Sequence, residues 1–385
     1  MLPQTEQWRP TLDRFQRLAL IVGVVGAVLS ALGAFLGPAQ FFYSLLFAFF
    51  FWMTLTIGAS IVLMIQYLTS GVWGLILRRM LEAAMMTLPL LGVVFLILLL
   101  GIGDLYPWSH PEVIQESEVV AKKAGYLNVP FFIVRGIIYF VVLYVVAFLL
   151  NRMSSEQDRN GDSRIYDRIR SLSGPGIPIF VLVWTLASTD WGMSLQPEWF
   201  SSMYPTTFIV EGLVAAFAWG IVALWFMRSR GVLPYTIPTD RLHDLSKFMF
   251  AFMIVWTYVS FSQFLIIWSG NIAEETPWYY YRLNNGWQVL GLLLMIGNFF
   301  LPLFAFVSRH PKRRFNQAAL MAAWLIFMQA VFVYWAIVPS LFTEGFHISW
   351  LDFTALIGVG GLWLAFWAYN LKKRPLLPPN DHRIG

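Results

Sequence analysis

Ten apolar runs, each long enough to cross a bilayer, leave this chain few ways to fold. They lie at about 17–37, 41–66, 83–104, 129–151, 175–190, 206–228, 245–269, 285–307, 317–338 and 350–371. Hydrocarbon offers no partner to a backbone N–H or C=O, so a run of about 20 apolar residues closes its own hydrogen bonds as a helix. The sequence therefore predicts an all-α integral membrane protein with ten transmembrane helices. Charged residues make up only 12% of the 385, about half the share of a soluble domain. The first two runs divide at Gly37-Pro38. The fifth is short and opens in "SGPGIP", which predicts a tilted or irregular start.

The basic residues orient these runs. All but four of the 26 lysines and arginines fall in connections on the side of the N-terminus, from Arg9, Arg14 and Arg17 through Arg78-Arg79 to the C-terminal tail. The exceptions are Lys122, Lys123 and Arg282 on the opposite side, and Arg135 inside a run. The positive-inside rule then places both termini in the cytoplasm, with the first run read as a signal-anchor helix. The same asymmetry accounts for the basic pI, so no nucleic-acid partner is expected. Two connections exceed a tight turn. Residues 105–128, containing "HPEVIQESEVVAKK", predict an acidic outer loop, and 152–174 a cytoplasmic link with a short helix. Both are long enough to touch partner subunits.

The chain has no cysteine, which excludes thiolate-held iron–sulfur clusters, c-type haem attachment and disulfides within it. None of its histidines, His110, His243, His310, His347 and His382, lies in the middle of a run. A bis-histidine haem and a metal site are not expected. Nor is there a phosphate-binding glycine loop, a zinc spacing or a nucleophile elbow.

Ionisable residues at membrane depth are costly and mark function by default. Arg135 falls about 9 Å into the fourth run at 1.5 Å per residue, Asp190 closes the fifth, and Glu211 sits near the start of the sixth. All three belong to the outer leaflet. They either form a polar cluster that takes protons or holds a headgroup, or Arg135 snorkels to lipid phosphate and Asp190 ends a helix. On the inner side, "RLHDLSKF" brings together His243, Asp244 and Lys247, as a proton relay or as helix capping and interfacial anchoring. Tyr258, Ser260, Ser262 and Gln263 continue that helix as a polar path or as bonds to neighbouring helices. Glu82 reads as an interfacial salt-bridge partner of Arg78-Arg79. The 17% aromatic content suits interfacial belts as well as a quinone.

Four segments carry a family resemblance: the opening stretch, "LTSGVWGLILRRMLEAAMMTLP" (68–89), "LNVPFFIVRGIIYF" (127–140) and "HDLSKFMFAFMIVWTYVSFSQFLIIWSGNIAEETPWY" (243–279). With the tail "PPNDHR", where His382 stands at an expected proline, they resemble the F subunit of alternative complex III, a bacterial quinol:cytochrome c (or other acceptor) oxidoreductase. The resemblance implies a fold like the polysulfide-reductase membrane subunits. Two four-helix bundles, at 41–190 and 191–340, would be flanked by helices at 17–40 and 341–371, with cytoplasmic ends at 1–16 and 372–385. It implies residence in the bacterial cytoplasmic membrane, with phospholipids around the chain. The implied partners are a quinol-site membrane subunit, an iron–sulfur/molybdopterin-like peripheral subunit and haem c subunits, which carry the redox centres. Menaquinone or another quinone is the implied substrate of the complex.

The resemblance also bears on "STDWGMSLQPEWFSSMY" (188–204). The quinol-binding sister subunit has a similar acid-to-aromatic segment in which a histidine follows the tryptophan. Here Asp190 matches the acid and Trp199 the tryptophan, while Phe200 replaces the histidine, removing one proton acceptor for a quinol hydroxyl. Four functions remain open: a cofactor-free proton-conducting subunit, a second quinone site with Asp190, Arg135, Trp199 and Phe200 as contacts, a scaffold, or an independent transporter. The proline interruptions at Pro89, Pro175–Pro178 and Pro302 do not pair as a transporter's repeats would.

Overall fold

The structure, a computed structural model, describes residues 8–233 and 236–377. His382 and the "PPNDHR" motif lie outside the described residues. Among the described residues, ten helices are long and apolar enough to cross a membrane, so the chain is a multi-pass membrane protein. They are α1 (Arg9–Leu36), α2 (Pro38–Thr69), α3 (Val72–Leu105), α4 (Val129–Asn160), α5 (Arg164–Leu195), α6 (Met203–Ser229), α7 (Thr239–Gly270), α8 (Gln288–Phe306), α9 (Phe315–Ser340) and α10 (Trp350–Leu371). No strand occurs among the described residues. Below, the terminal end is the end where α1 begins and α10 finishes, and the far end is its opposite.

The breaks follow local chemistry. Gly37 takes an extended conformation because Pro38 opens α2 and bars its predecessor from helical geometry. Inside α3 the helix is interrupted at Met86–Thr87, ahead of Pro89, and the Thr87 hydroxyl bonds the Ala84 carbonyl at 2.6 Å. In α8, residues Met295–Phe300 widen into a π-helix just before Pro302, where the proline ring removes a backbone donor. The helix of α5 runs unbroken from Ser163 to Trp191 through Pro175 and Pro178, where a short, irregular helix was expected. Ser173 supports the stretch by bonding the Ile169 carbonyl at 2.8 Å.

Two other expectations are corrected. Residues 152–174 are not a separate link: α4 and the helix of α5 extend toward each other and leave only Gly161-Asp162 between them. Arg78, Arg79 and Glu82 do not sit in an interfacial connection but within α3, almost wholly buried. Glu82 pairs with both arginines, as expected, and Ser154, Gln157 and Asp158 take further guanidinium hydrogens.

Helices α2 and α6 form the axis. They are enclosed on nearly all sides, as helices apolar around their whole circumference must be. They cross where Gly58 meets Gly212, so close that a Cβ on Gly58 would lie 1.8 Å from the Gly212 carbonyl oxygen. Small residues permit backbone contact, and dispersion between close backbones drives association in lipid. Around α2, contacts close a ring through α3, α4 and α5; around α6 they close one through α7, α8 and α9. Helices α1 and α10 pack along each other, meeting at Gly26 and Gly358, and α10 docks on α2. There Trp52 Nε1 bonds the Leu356 carbonyl at 3.1 Å and Trp363 Nε1 bonds Thr56 at 2.9 Å.

Gly58→Ala is expected to lower the detergent-unfolding midpoint, with an overpacking cost of roughly 1–3 kcal/mol. Gly103→Ala, whose Cβ meets nothing within 4 Å, should leave the midpoint unchanged or raise it. Equal behaviour of the two variants in a thermal-shift assay would remove the α2–α6 contact as the structural axis.

Candidate functional site

Four carboxylates are buried among the described residues: Glu82, Asp190, Glu211 and Asp352. What each one touches separates structural acids from a candidate functional one.

Glu82 lies near the terminal end and is saturated. Arg78 Nε donates to it at 3.0 Å, Arg79 at 2.8 Å, Arg374 at 3.2 Å, and the Tyr67 and Ser154 hydroxyls at 2.6 Å each. Arg78 also reaches Gln157 at 2.7 Å, and Arg79 pairs with Asp158. The network stitches α2, α3, α4 and the segment after α10. Asp352 begins α10 in a capping box with Ser349 and accepts from Ser44 and, at 2.9 Å, from Tyr334.

Asp190 closes the helix of α5 near the far end. Arg135 of α4 forks onto it, with Nε to Oδ2 at 2.7 Å and a terminal nitrogen to Oδ1 at 3.1 Å, and the Tyr139 hydroxyl donates at 2.8 Å. The guanidinium sits 3.8 Å from the Tyr126 ring centroid and 4.4 Å from that of Phe131, and it bonds the Tyr126 carbonyl at 2.8 Å. A forked, ring-sandwiched ion pair of this kind is held rigidly. Of the two partners open to Arg135, the structure selects Asp190 rather than Glu211. Next to it, the Trp191 ring packs on Phe49, Phe95 and Phe140, and the space there is about 10 Å³.

The aromatics of the 188–204 segment go elsewhere. Trp199 stacks on Trp278 with centroids 5.1 Å apart, and its Nε1 bonds the Glu275 carbonyl at 3.0 Å. Phe200 is exposed, with Lys123 5.8 Å from its ring. Burial pushes the Lys123 ammonium below its ordinary value, and nearby Glu198 opposes that shift. Ser117 bonds Glu198 at 2.6 Å. The segment thus bridges the 105–128 connection to the one before α8.

Glu211 differs from the other three. It is 0% exposed, and neither carboxylate oxygen has a hydrogen-bond partner. The side chain that faces it is Asn298 in the π-turn of α8, close enough to interact with the carboxyl group but outside ordinary hydrogen-bond geometry. Polar atoms of Ser260, Gln263 and Gln329 are also buried without partners. Counted along their helices at 1.5 Å per residue, Glu211 on α6, Ser260 and Gln263 on α7, Asn298 on α8 and Gln329 on α9 all fall roughly 10–16 Å from the far end. One polar layer therefore crosses the α6–α9 ring. Buried polar groups rarely go unpartnered unless they have a role or hold water.

The remaining sequence candidates divide. Gln263 joins this layer, Ser262 is half-buried, and Tyr258 turns outward at 70% exposure, which takes it off the path read along α7. The buried face of α7 carries His243, Ser246 and Trp256 instead. His243 lies among Lys247, Arg313 and Lys312, with Asp244 as the nearby acid, and Lys247 is 3.6 Å from Asp244. Asn298, Gln329 and Asp352 were not singled out in the sequence, though each is a polar residue in or beside an apolar run. Arg282 is wholly buried and bonds the Trp335 and Ala336 carbonyls at 3.1 and 2.6 Å, at the C-terminus of the α9 helix, where a cation is favoured.

No protein-family model matches the chain, and no curated protein matches it.

Asp190→Asn should leave the Arg135 charge buried and uncompensated, a loss of about 3–5 kcal/mol. Adding Arg135→Gln should recover part of that loss. A double-mutant cycle on unfolding midpoints checks this, and strictly additive losses would sink the ion pair as a structural clamp.

Proposed function

We propose that this chain is a cofactor-free integral membrane subunit of a multisubunit quinol:electron-acceptor oxidoreductase of the alternative complex III type, and that it contributes a proton route through Glu211. The segments at 68–89, 127–140 and 243–279 support the family reading. The two helix rings accord with it, taken as four-helix bundles α2–α5 and α6–α9 with α1 and α10 as the flanking pair. In this reading both termini are cytoplasmic, the membrane is the bacterial cytoplasmic membrane, and the redox centres belong to the quinol-site, iron–sulfur and haem c partners.

The observation that carries the proton role is the unpartnered state of Glu211 beside three saturated acids. Glu82 and Asp190 are committed to arginine forks, and Asp352 to hydroxyls and a capping box, so each is fixed in a structural role. Glu211 has no cation or hydrogen bond to fix it, which leaves its oxygens available to water or a donor that enters the layer. Asn298, Ser260, Gln263 and Gln329 supply the hydrogen-bonding groups through which such water would connect. Asp190, Arg135 and Tyr139 form the clamp that fixes α4 to α5. His243, Asp244 and Lys247 remain the candidates at the opposite mouth.

The test is quinol-driven proton release by the purified complex in liposomes, with electron flux followed in the same vesicles. Glu211→Gln keeps the shape of the side chain but cannot carry the proton. The expected result is normal electron flux with a lower ratio of protons released to electrons. An unchanged ratio in an assembled complex would leave the chain as a scaffold. Lost flux in the Asp190→Asn complex, if it remains assembled, would favour a second quinone site instead.

A further inference from the structure

One exposed stripe of α4 changes character near the terminal end. Val141, Val145, Phe148 and Leu149 turn outward, and at helical spacing the same stripe continues as Arg152, Ser155, Glu156 and Arg159. At the change lies a cavity of about 490 Å³, walled by Met86 and Phe148 below and by Arg152, Glu156, Arg159 and Arg374 around its polar part. Arg374 is fixed in place through Glu82 at 3.2 Å and the Asn151 carbonyl at 2.7 Å. Arg152 and Arg159 are exposed and have no ion pair or hydrogen bond among the described residues. Glu156 lies between them in sequence and pairs with neither.

We propose that this cavity binds the phosphate of an anionic phospholipid in the leaflet at the terminal end, with an acyl chain running down the Val141–Phe148 stripe. Three guanidiniums against Glu156 and the Glu82 that holds Arg374 leave the site net positive, and guanidinium forks fit phosphate oxygens. The apolar stripe distinguishes a lipid from free phosphate, because a soluble anion has no use for a hydrophobic track leaving its site. Basic pockets between spans at the positive side of a membrane suit acidic headgroups. The fixed Arg374 means that one of the three cations is ordered before the lipid arrives, which lowers the ordering cost of binding.

Native mass spectrometry of the full chain in detergent tests this, with graded addition of phosphatidylglycerol, phosphatidylethanolamine, phosphatidylcholine or inorganic phosphate. Phosphatidylglycerol should be retained in preference to both zwitterionic lipids. Retention should weaken roughly fivefold for each of Arg152→Gln and Arg159→Gln, and Glu156→Gln should strengthen it. Both arginines are exposed, so neither variant threatens folding. Equal retention of phosphatidylglycerol and phosphatidylcholine would overturn the proposal. So would phosphatidylglycerol retention that ignores the double variant, or displacement by inorganic phosphate alone. Phosphatidylethanolamine bound as well as phosphatidylglycerol, and lost in Glu156→Gln, would replace the anionic ligand with a zwitterionic one.

Discussion

A polar group surrounded by hydrocarbon has to find its hydrogen-bond partner inside the protein, and this requirement shapes the molecule more than any single contact. It makes every long element a helix. Prolines are accommodated locally: the Thr87 hydroxyl bonds the Ala84 carbonyl at the break before Pro89, and α8 widens into a π-turn before Pro302. The same requirement sets what charges can do. Arg78, Arg79 and Glu82 enter the protein because they enter together, each supplying what the others would otherwise take from water. The axis of α2 and α6 has the complementary origin, since two helices apolar on almost every face can meet backbone to backbone at Gly58 and Gly212, with Glu211 an exception on α6.

The spans were legible because apolar length and the alternation of basic residues report on the same physical variable, the cost of moving charge across the bilayer. What the sequence hid was depth. Arg78 and Arg79 count toward the basic side of the membrane, and that reading took them for loop residues. Yet a pair of arginines can orient a helix and be buried in it, provided a carboxylate lies one turn on, as Glu82 does. The same ambiguity turned 152–174 into a link, since a helix that projects beyond the hydrocarbon can carry charge as a loop does. Tyr258 went astray through facing. Its polar neighbours Ser260 and Gln263 are on the buried side of α7, and only the packing of α7 on α6 fixes which side that is.

The candidate site was half legible. Asp190, Arg135 and Glu211 stood out as ionisable groups at depth, and spacing along their helices placed them in one leaflet. Spacing does not say which of them pair. The Arg135–Asp190 choice depends on α4 lying against α5, a long-range contact with no local signature. Asn298 and Gln329 carry no charge, so a scan for ionisable residues passes over them. They matter because their uncharged polar atoms are buried at the depth of Glu211, and Asn298 faces it.

Asp190 and Glu211 can therefore be assigned opposite roles from their surroundings alone. Both are wholly buried carboxyl groups near the same end of the bundle, so burial cannot distinguish them. Asp190 accepts three hydrogen bonds from Arg135 and Tyr139, so its oxygens are committed to holding α4 on α5. Glu211 has only uncharged polar neighbours, and an amide can donate to a carboxylate or accept from a carboxylic acid with similar ease. Asn298 can serve either form by rotating its side chain. The proton role proposed for Glu211 rests on that difference: its neighbours are uncharged and leave its oxygens unpaired, whereas the oxygens of Asp190 are taken.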